Sequence, residues 1–167
     1  MEAFVMKLKP IHTLFILYLM ALFYVLFIYE RSINLTWIVQ GGFSTLVERQ
    51  AEHLNLVLFR NILRYLQTMN YATGMRNIIV NIGGHMLMFT PFGYFLPRIN
   101  KRFQDIRFFI FFSLMIMLMI EGFQYFTMSG SFDVDDALLN MIGAIMGFVF
   151  LRNPDNLERI SHDREIS

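Results

Sequence analysis

The stretch IRFFIFFSLMIMLMIEGFQYFT, Ile106 to Thr127, decides the fold. It is apolar from Phe108 to Ile120 apart from Ser113. Its length reaches the roughly 20 residues with which an α-helix crosses a hydrocarbon core. A soluble helix would interleave polar residues along one face; this one does not until Glu121. Three further segments follow the same logic. Ile11 to Tyr29 is uninterrupted apart from His12 and Thr13 at its start. Ile78 to Leu96 carries Asn81, His85 and the Pro91–Phe92–Gly93 step, and Val134 to Leu151 is polar in its first half and apolar in its second. The expected fold is all-α: a polytopic membrane protein with a four-helix transmembrane bundle over 11–29, 78–96, 106–127 and 134–151.

Composition agrees. The chain of 167 residues is 56% hydrophobic and 16% charged, against roughly 45–50% and 25% for a soluble domain. The net charge of +1 carries no basic excess that would point to nucleic acid. With no cysteine, disulfides and thiolate metal sites are excluded. Lys7 and Lys9 before an apolar run resemble the start of a signal peptide, but no small-residue cleavage site follows Ile28, so the helix is expected to be retained.

Basic residues orient the spans. With the N-terminus inside, the inner segments hold Lys7, Lys9, Arg98, Lys101, Arg102, Arg107, Arg152, Arg159 and Arg164. The outer ones hold Arg31, Arg49, Arg60, Arg64 and Arg76. The excess places both termini in the cytoplasm. In the long first outer loop, Leu54, Val57, Leu58, Ile62, Tyr65 and Leu66 recur at helical spacing, with Arg60, Asn61, Arg64 and Gln67 opposite. That pattern predicts an amphipathic helix, on the membrane surface or packed on the bundle. Gly41–Gly42 breaks the chain before it, and 152–167 reads as a polar cytoplasmic tail.

Ionisable groups inside spans cost about 2.5–3.5 kcal/mol each at the centre, so each needs a reason. Glu121 lies about 22 Å along a core of about 30 Å, in the outer third. Gln124 is one turn further out. Asp133, Asp136 and Asn140 lie at the outer start of the fourth span, and His85 is about 10 Å down from the outer end of the second, whose mouth holds Arg76. Glu121, Gln124, Asp133, Asp136, Asn140, His85 and Arg76 are therefore the candidates for one outward-facing polar pocket. Plainer roles compete. Asp133, Asp135 and Asp136 sit where a helix wants capping carboxylates. Asn140 suits a hydrogen bond between helices, and Gly143 and Gly147 suit close helix packing. Pro91 and Gly93 suit a kink. His85 suits a buried hydrogen bond more than a metal. Glu121 must be paired or neutral, with Arg76 or His85 as its natural partner. There is no hydrolase triad, phosphate loop or dinucleotide fingerprint, so no cofactor is expected. An Asp133-x-x-Asp136 pair alone is a weak cation signal.

Three ordered motifs resemble VanZ-like proteins. They are Asn81 through Pro97, with its Phe89-Thr90-Pro91-Phe92-Gly93 core; Ile120–Glu121–Gly122–Phe123–Gln124; and Asp133–Val134–Asp135–Asp136–Ala137–Leu138–Leu139–Asn140–Met141–Ile142–Gly143. Asn55–Leu56–Val57–Leu58–Phe59–Arg60 is similar to a loop stretch of the same proteins. The departures are Leu58 where the family often has Pro, His85 where it often has Asn, Met117 in place of an expected Ser, and no Arg just before Asp133. The resemblance implies a VanZ-like transmembrane domain over 1–151 in a small bacterial envelope protein. The founding member is associated with resistance to teicoplanin. Three functions then fit: binding or modifying a lipid-linked cell-wall component from the outer leaflet; a membrane enzyme acting on a lipid phosphate or glycan, with Asp133 and Asp136 on a metal and Glu121 as base; and a structural or transport role with the polar residues as interhelical glue.

Overall fold

The computed structural model describes residues 10–29, 33–67, 75–76 and 78–150. The tail expected over 152–167 lies outside them, as do Lys7, Lys9 and Arg31. The chain is mostly helical. Helix α1 (Pro10–Phe27) starts on a proline, which lacks only an amide that the first turn leaves unpaired anyway. It buries Leu22, Leu26 and Phe27 and leaves Leu14, Leu17, Met20 and Phe23 exposed. In water such a face would be costly; against acyl chains it is not.

The outer loop follows with α2 (Trp37–Gln40) and α3 (Phe43–Gln50), separated by Gly41 and Gly42, both at positive φ. A 3-10 turn (Ala51–His53) leads to the two-residue strand β1 (Leu54–Asn55) and then α4 (Arg60–Gln67). The amphipathic helix expected here is present, but it begins at Arg60 and not at Leu54. Leu54 and Asn55 are taken by β pairing, and Phe59 at φ 66 breaks the backbone just before α4.

The second long helix opens as a π-helical turn (Ile78–Gly83) and continues as α5 (Gly84–Ile99), running through Pro91 and Pro97. Pro91 removes an amide from the ladder and loosens the carbonyls one turn before it. The Tyr18 hydroxyl of α1 donates to one of these, Met88 O, at 2.8 Å. After a 3-10 turn (Lys101–Gln104), α6 (Ile106–Phe126) is capped by Asp105, whose carboxylate accepts from Arg107 N and Phe108 N. The Phe108 amide, then that of Arg107, hold the Asp105 carboxyl below its ordinary range. Strand β2 (Phe132–Asp133) leads into α7 (Val134–Phe150).

By length and composition three helices can cross a membrane: Pro10–Phe27, Ile78–Ile99 and Ile106–Phe126. The four expected spans thus reduce to three by this measure. The fourth helix, α7, exists, but at 17 residues it spends its first two turns on Asp135, Asp136 and Asn140. Its closest partner is α5. A Cβ on Gly143 would lie 2.0 Å from Met86 O, one on Gly147 1.9 Å from Thr90 O, and one on Gly93 1.8 Å from Ala144 O. The two backbones touch, and hydrogen is the only side chain with room. Around this seam Phe89, Phe92, Phe109, Met117, Met141, Ala144 and Phe148 form the core.

The loop is docked on the α6–α7 connection. Asn34 N donates to Thr127 O at 2.7 Å, Trp37 Nε1 to Phe126 O at 2.8 Å and Gln50 Nε2 to Tyr125 O at 3.1 Å. Strands β1 and β2 pair in parallel, Leu54 opposite Phe132 and Asn55 opposite Asp133.

Candidate functional site

The polar residues meet where α7 begins. Asp133 precedes its first turn, and its Oδ1 accepts from Asp135 N at 2.8 Å, the bond of an N-cap. The same carboxylate accepts from Asn55 Nδ2 at 2.9 Å and from Asn61 Nδ2. Its own amide donates to Glu121 Oε2 at 3.1 Å. Glu121, 2% exposed on the core face of α6, thus meets the amide of Asp133.

Asp135 does different work. It is fully buried, and its carboxylate accepts from the amides of Phe59, Asn61 (2.8 Å) and Ile62 (3.4 Å). These are the opening N–H groups of α4, which have no partner inside their own helix. A carboxylate from α7 therefore caps α4 from across the loop, where its charge also complements the positive end of that helix.

The second group is partly open. His85 Nδ1 lies 3.0 Å from Asn140 Oδ1, and His85 Nε2 lies 3.6 Å from Asp136 Oδ2. The two ring nitrogens thus face different groups, Nδ1 the Asn140 amide and Nε2 the Asp136 carboxylate. The side chains of His85 and Asp136 are 15% and 28% exposed, while Asn140 is buried behind them. Asp136 and Asn140 are one turn apart on α7, which puts both on the face that meets α5.

Of the seven residues singled out in the sequence, Glu121 and Asp133 are in contact, and His85, Asp136 and Asn140 form the partly open group. Gln124 is buried and donates to Leu26 O at 3.3 Å, tying α6 to α1. Arg76 is exposed on the short piece 75–76. Sequence reasoning passed over Asn55, Asn61 and the distinct role of Asp135. A signal existed for Asn55, which stands in the loop stretch similar to VanZ-like proteins. For Asn61 the amphipathic pattern pointed the other way, to a solvated face.

The chemistry open to each group differs. Asp133 has its oxygens occupied by three N–H donors, which compete with any cation. Among the described residues no group of three or more His, Cys, Asp and Glu is arranged to hold a metal. His85 and Asp136 present an imidazole and a carboxylate that can bind a polar ligand. No curated protein and no solved structure matches the chain. The VanZ/LLP1 family model does match it, over residues 15–154, and with the polar motifs of the second, third and fourth helices all inside that range the chain belongs to the VanZ/LLP1 family.

Proposed function

We propose that this VanZ/LLP1-family membrane protein acts in the bacterial cell envelope by engaging a lipid-linked cell-wall component from the outer leaflet, and that it thereby lowers susceptibility to teicoplanin. The engaging group is His85–Asp136, backed by Asn140. The single observation that supports it is partial exposure of that pair beside Glu121, Asp133, Asp135 and Asn140, which are all buried. An imidazole and a carboxylate side by side cost desolvation energy when they do nothing else. Asp133 and Asp135, by contrast, are spent on Asn55, Asn61 and the start of α4, which favours a structural role for those two. The same occupancy weighs against an enzyme that would use Asp133 as a metal ligand and the enclosed Glu121 as base.

The test is expression in a glycopeptide-sensitive bacterium, with membrane levels measured in parallel. Wild type should raise teicoplanin tolerance. Asp136→Asn keeps the shape of the side chain, so it should accumulate at the wild-type level and return tolerance to that of cells without the protein. Glu121→Gln should mainly reduce accumulation. Full tolerance from Asp136→Asn at normal levels removes the site from the proposal, and a wild type that changes nothing removes the resistance role.

A further inference from the structure

Beside the docked loop, apart from the His85–Asp136 group, lies a cavity of about 390 Å³. That is within the roughly 300–1,000 Å³ of small-molecule sites. Its walls are Arg49, Gln50, His53, Ser129, Gly130 and Ser131, with Met128 at one edge. None of the lining residues is acidic, and two are basic. Nothing in the reading of His85 and Asp136 uses it.

Three elements build it. Arg49 lies in the last turn of α3, His53 ends the 3-10 turn after it, and Ser129 to Ser131 lie in the α6–α7 connection. Gln50 fixes these walls to one another: it is buried, and its Nε2 donates to Tyr125 O at 3.1 Å and reaches Gly130 O at 3.5 Å. Met128, a non-glycine residue at φ 50, turns the connection back so that the amides of Ser129 and Gly130 both reach Gln124 O. Arg49 is held from behind, with Nη2 donating to Gln40 Oε1 at 2.8 Å and Nη1 reaching Thr36 Oγ1 at 3.5 Å. Two of the five donors of its fork are spent there. Ser129 donates its hydroxyl to Thr127 Oγ1, which is itself committed to Phe123 O. The donors left among the lining side chains are the rest of the Arg49 fork, the His53 ring and the Ser131 hydroxyl.

We infer that this cavity binds a phosphate group. Its donors come from three separate segments, one of them a guanidinium tied to Gln40 Oε1. A tetrahedral oxyanion presents acceptors in several directions and can meet all three together, whereas a planar carboxylate satisfies the Arg fork and leaves the opposite wall unmet. The phosphate comes either free or as a lipid headgroup, since the cavity opens beside a loop that lies at the end of the membrane helices.

The chain has one tryptophan, Trp37, and it lies between Thr36 and Gln40, the two residues that hold Arg49. Its emission therefore reports on Arg49. Full-length protein in neutral detergent is titrated with inorganic phosphate, against chloride at equal ionic strength. The same protein in phosphatidylcholine vesicles is compared with and without phosphatidic acid. A saturable Trp37 response to inorganic phosphate identifies a free anion as ligand; a response only to phosphatidic acid identifies the headgroup. In either case Arg49→Gln should weaken binding by about tenfold or more. His53→Gln, at an exposed position, should weaken it by several-fold with the loop intact. No saturable response of wild type to either source overturns the inference, as does binding left unchanged in both variants. Glycopeptide tolerance is not part of this readout, so it fails or stands apart from the His85–Asp136 site.

Discussion

Asp135 and Asp136 are one position apart, about 100° around the helix, and that rotation gives them opposite surroundings. Asp135 turns to the loop and receives the opening amides of α4; Asp136 turns to His85 and keeps part of its surface. Asp135→Ala leaves those amides buried without an acceptor, at about 3 kcal/mol. The expected result is a protein that still inserts but melts earlier in detergent and is cut faster by protease between α3 and α5. Unchanged protease resistance would mean that other bonds hold α4. The sequence marked all three aspartates as capping residues, and for Asp133 that reading describes the bond present, to Asp135 N. It had no means of separating Asp135 from Asp136. The difference depends on the phase of α7 relative to a loop some seventy residues earlier, and the amides that Asp135 meets leave no trace in residue type. His85 and Asn140 were easier to single out, because a polar side chain inside an apolar span announces that it has a partner.

At the scale of elements, the α5–α7 seam carries the packing. The spacing of Gly143 and Gly147 predicts a close helix contact, and both positions lie where a Cβ would overlap a carbonyl of α5. Backbone cannot move aside as a flexible side chain can. Gly147→Ala should therefore cost about 3 kcal/mol by overpacking, and should lower the melting temperature and the membrane yield together. Gly83→Ala is the control: a Cβ there meets nothing within 4 Å. Equal loss in both variants would show that the loss does not come from the seam. Pro91 was legible as a kink, and α5 runs through it with the Tyr18 hydroxyl of α1 bonded at the loosened turn. That donor is seventy residues away in sequence and has no pattern to announce it. The start of α4 was misplaced for a similar reason. Leu54 to Leu58 fit a helical stripe, but β2 recruits Leu54 and Asn55 into a ladder that only the folded chain brings together.

Over the whole molecule, one end gathers Arg98, Lys101, Arg102 and Arg107, with Arg98 stacked 3.6 Å over the Tyr94 ring. The docked loop occupies the other end. The orientation drawn from charge predicts that the basic turn faces the cytoplasm. The chain has no cysteine, so single cysteines report without interference. In intact cells a membrane-impermeant maleimide should label Glu52→Cys and spare Lys101→Cys until the membrane is opened; the reverse pattern would invert the topology. Apolar runs made the membrane helices readable because lipid demands length and apolarity of each span by itself. The packing of the loop was unreadable because its bonds reach across 72 residues or more. That reach also sets an order of events during synthesis. Asn55 emerges from the ribosome with its partner Asp133 still 78 residues from being made. At roughly 5–20 residues per second, the loop waits about 4–16 s without its anchor. For that interval its unmet amides and the apolar sides of α3 and α4 are open to proteases and chaperones. A nascent chain stalled before Asp133 should keep that vulnerable form for as long as the stall lasts.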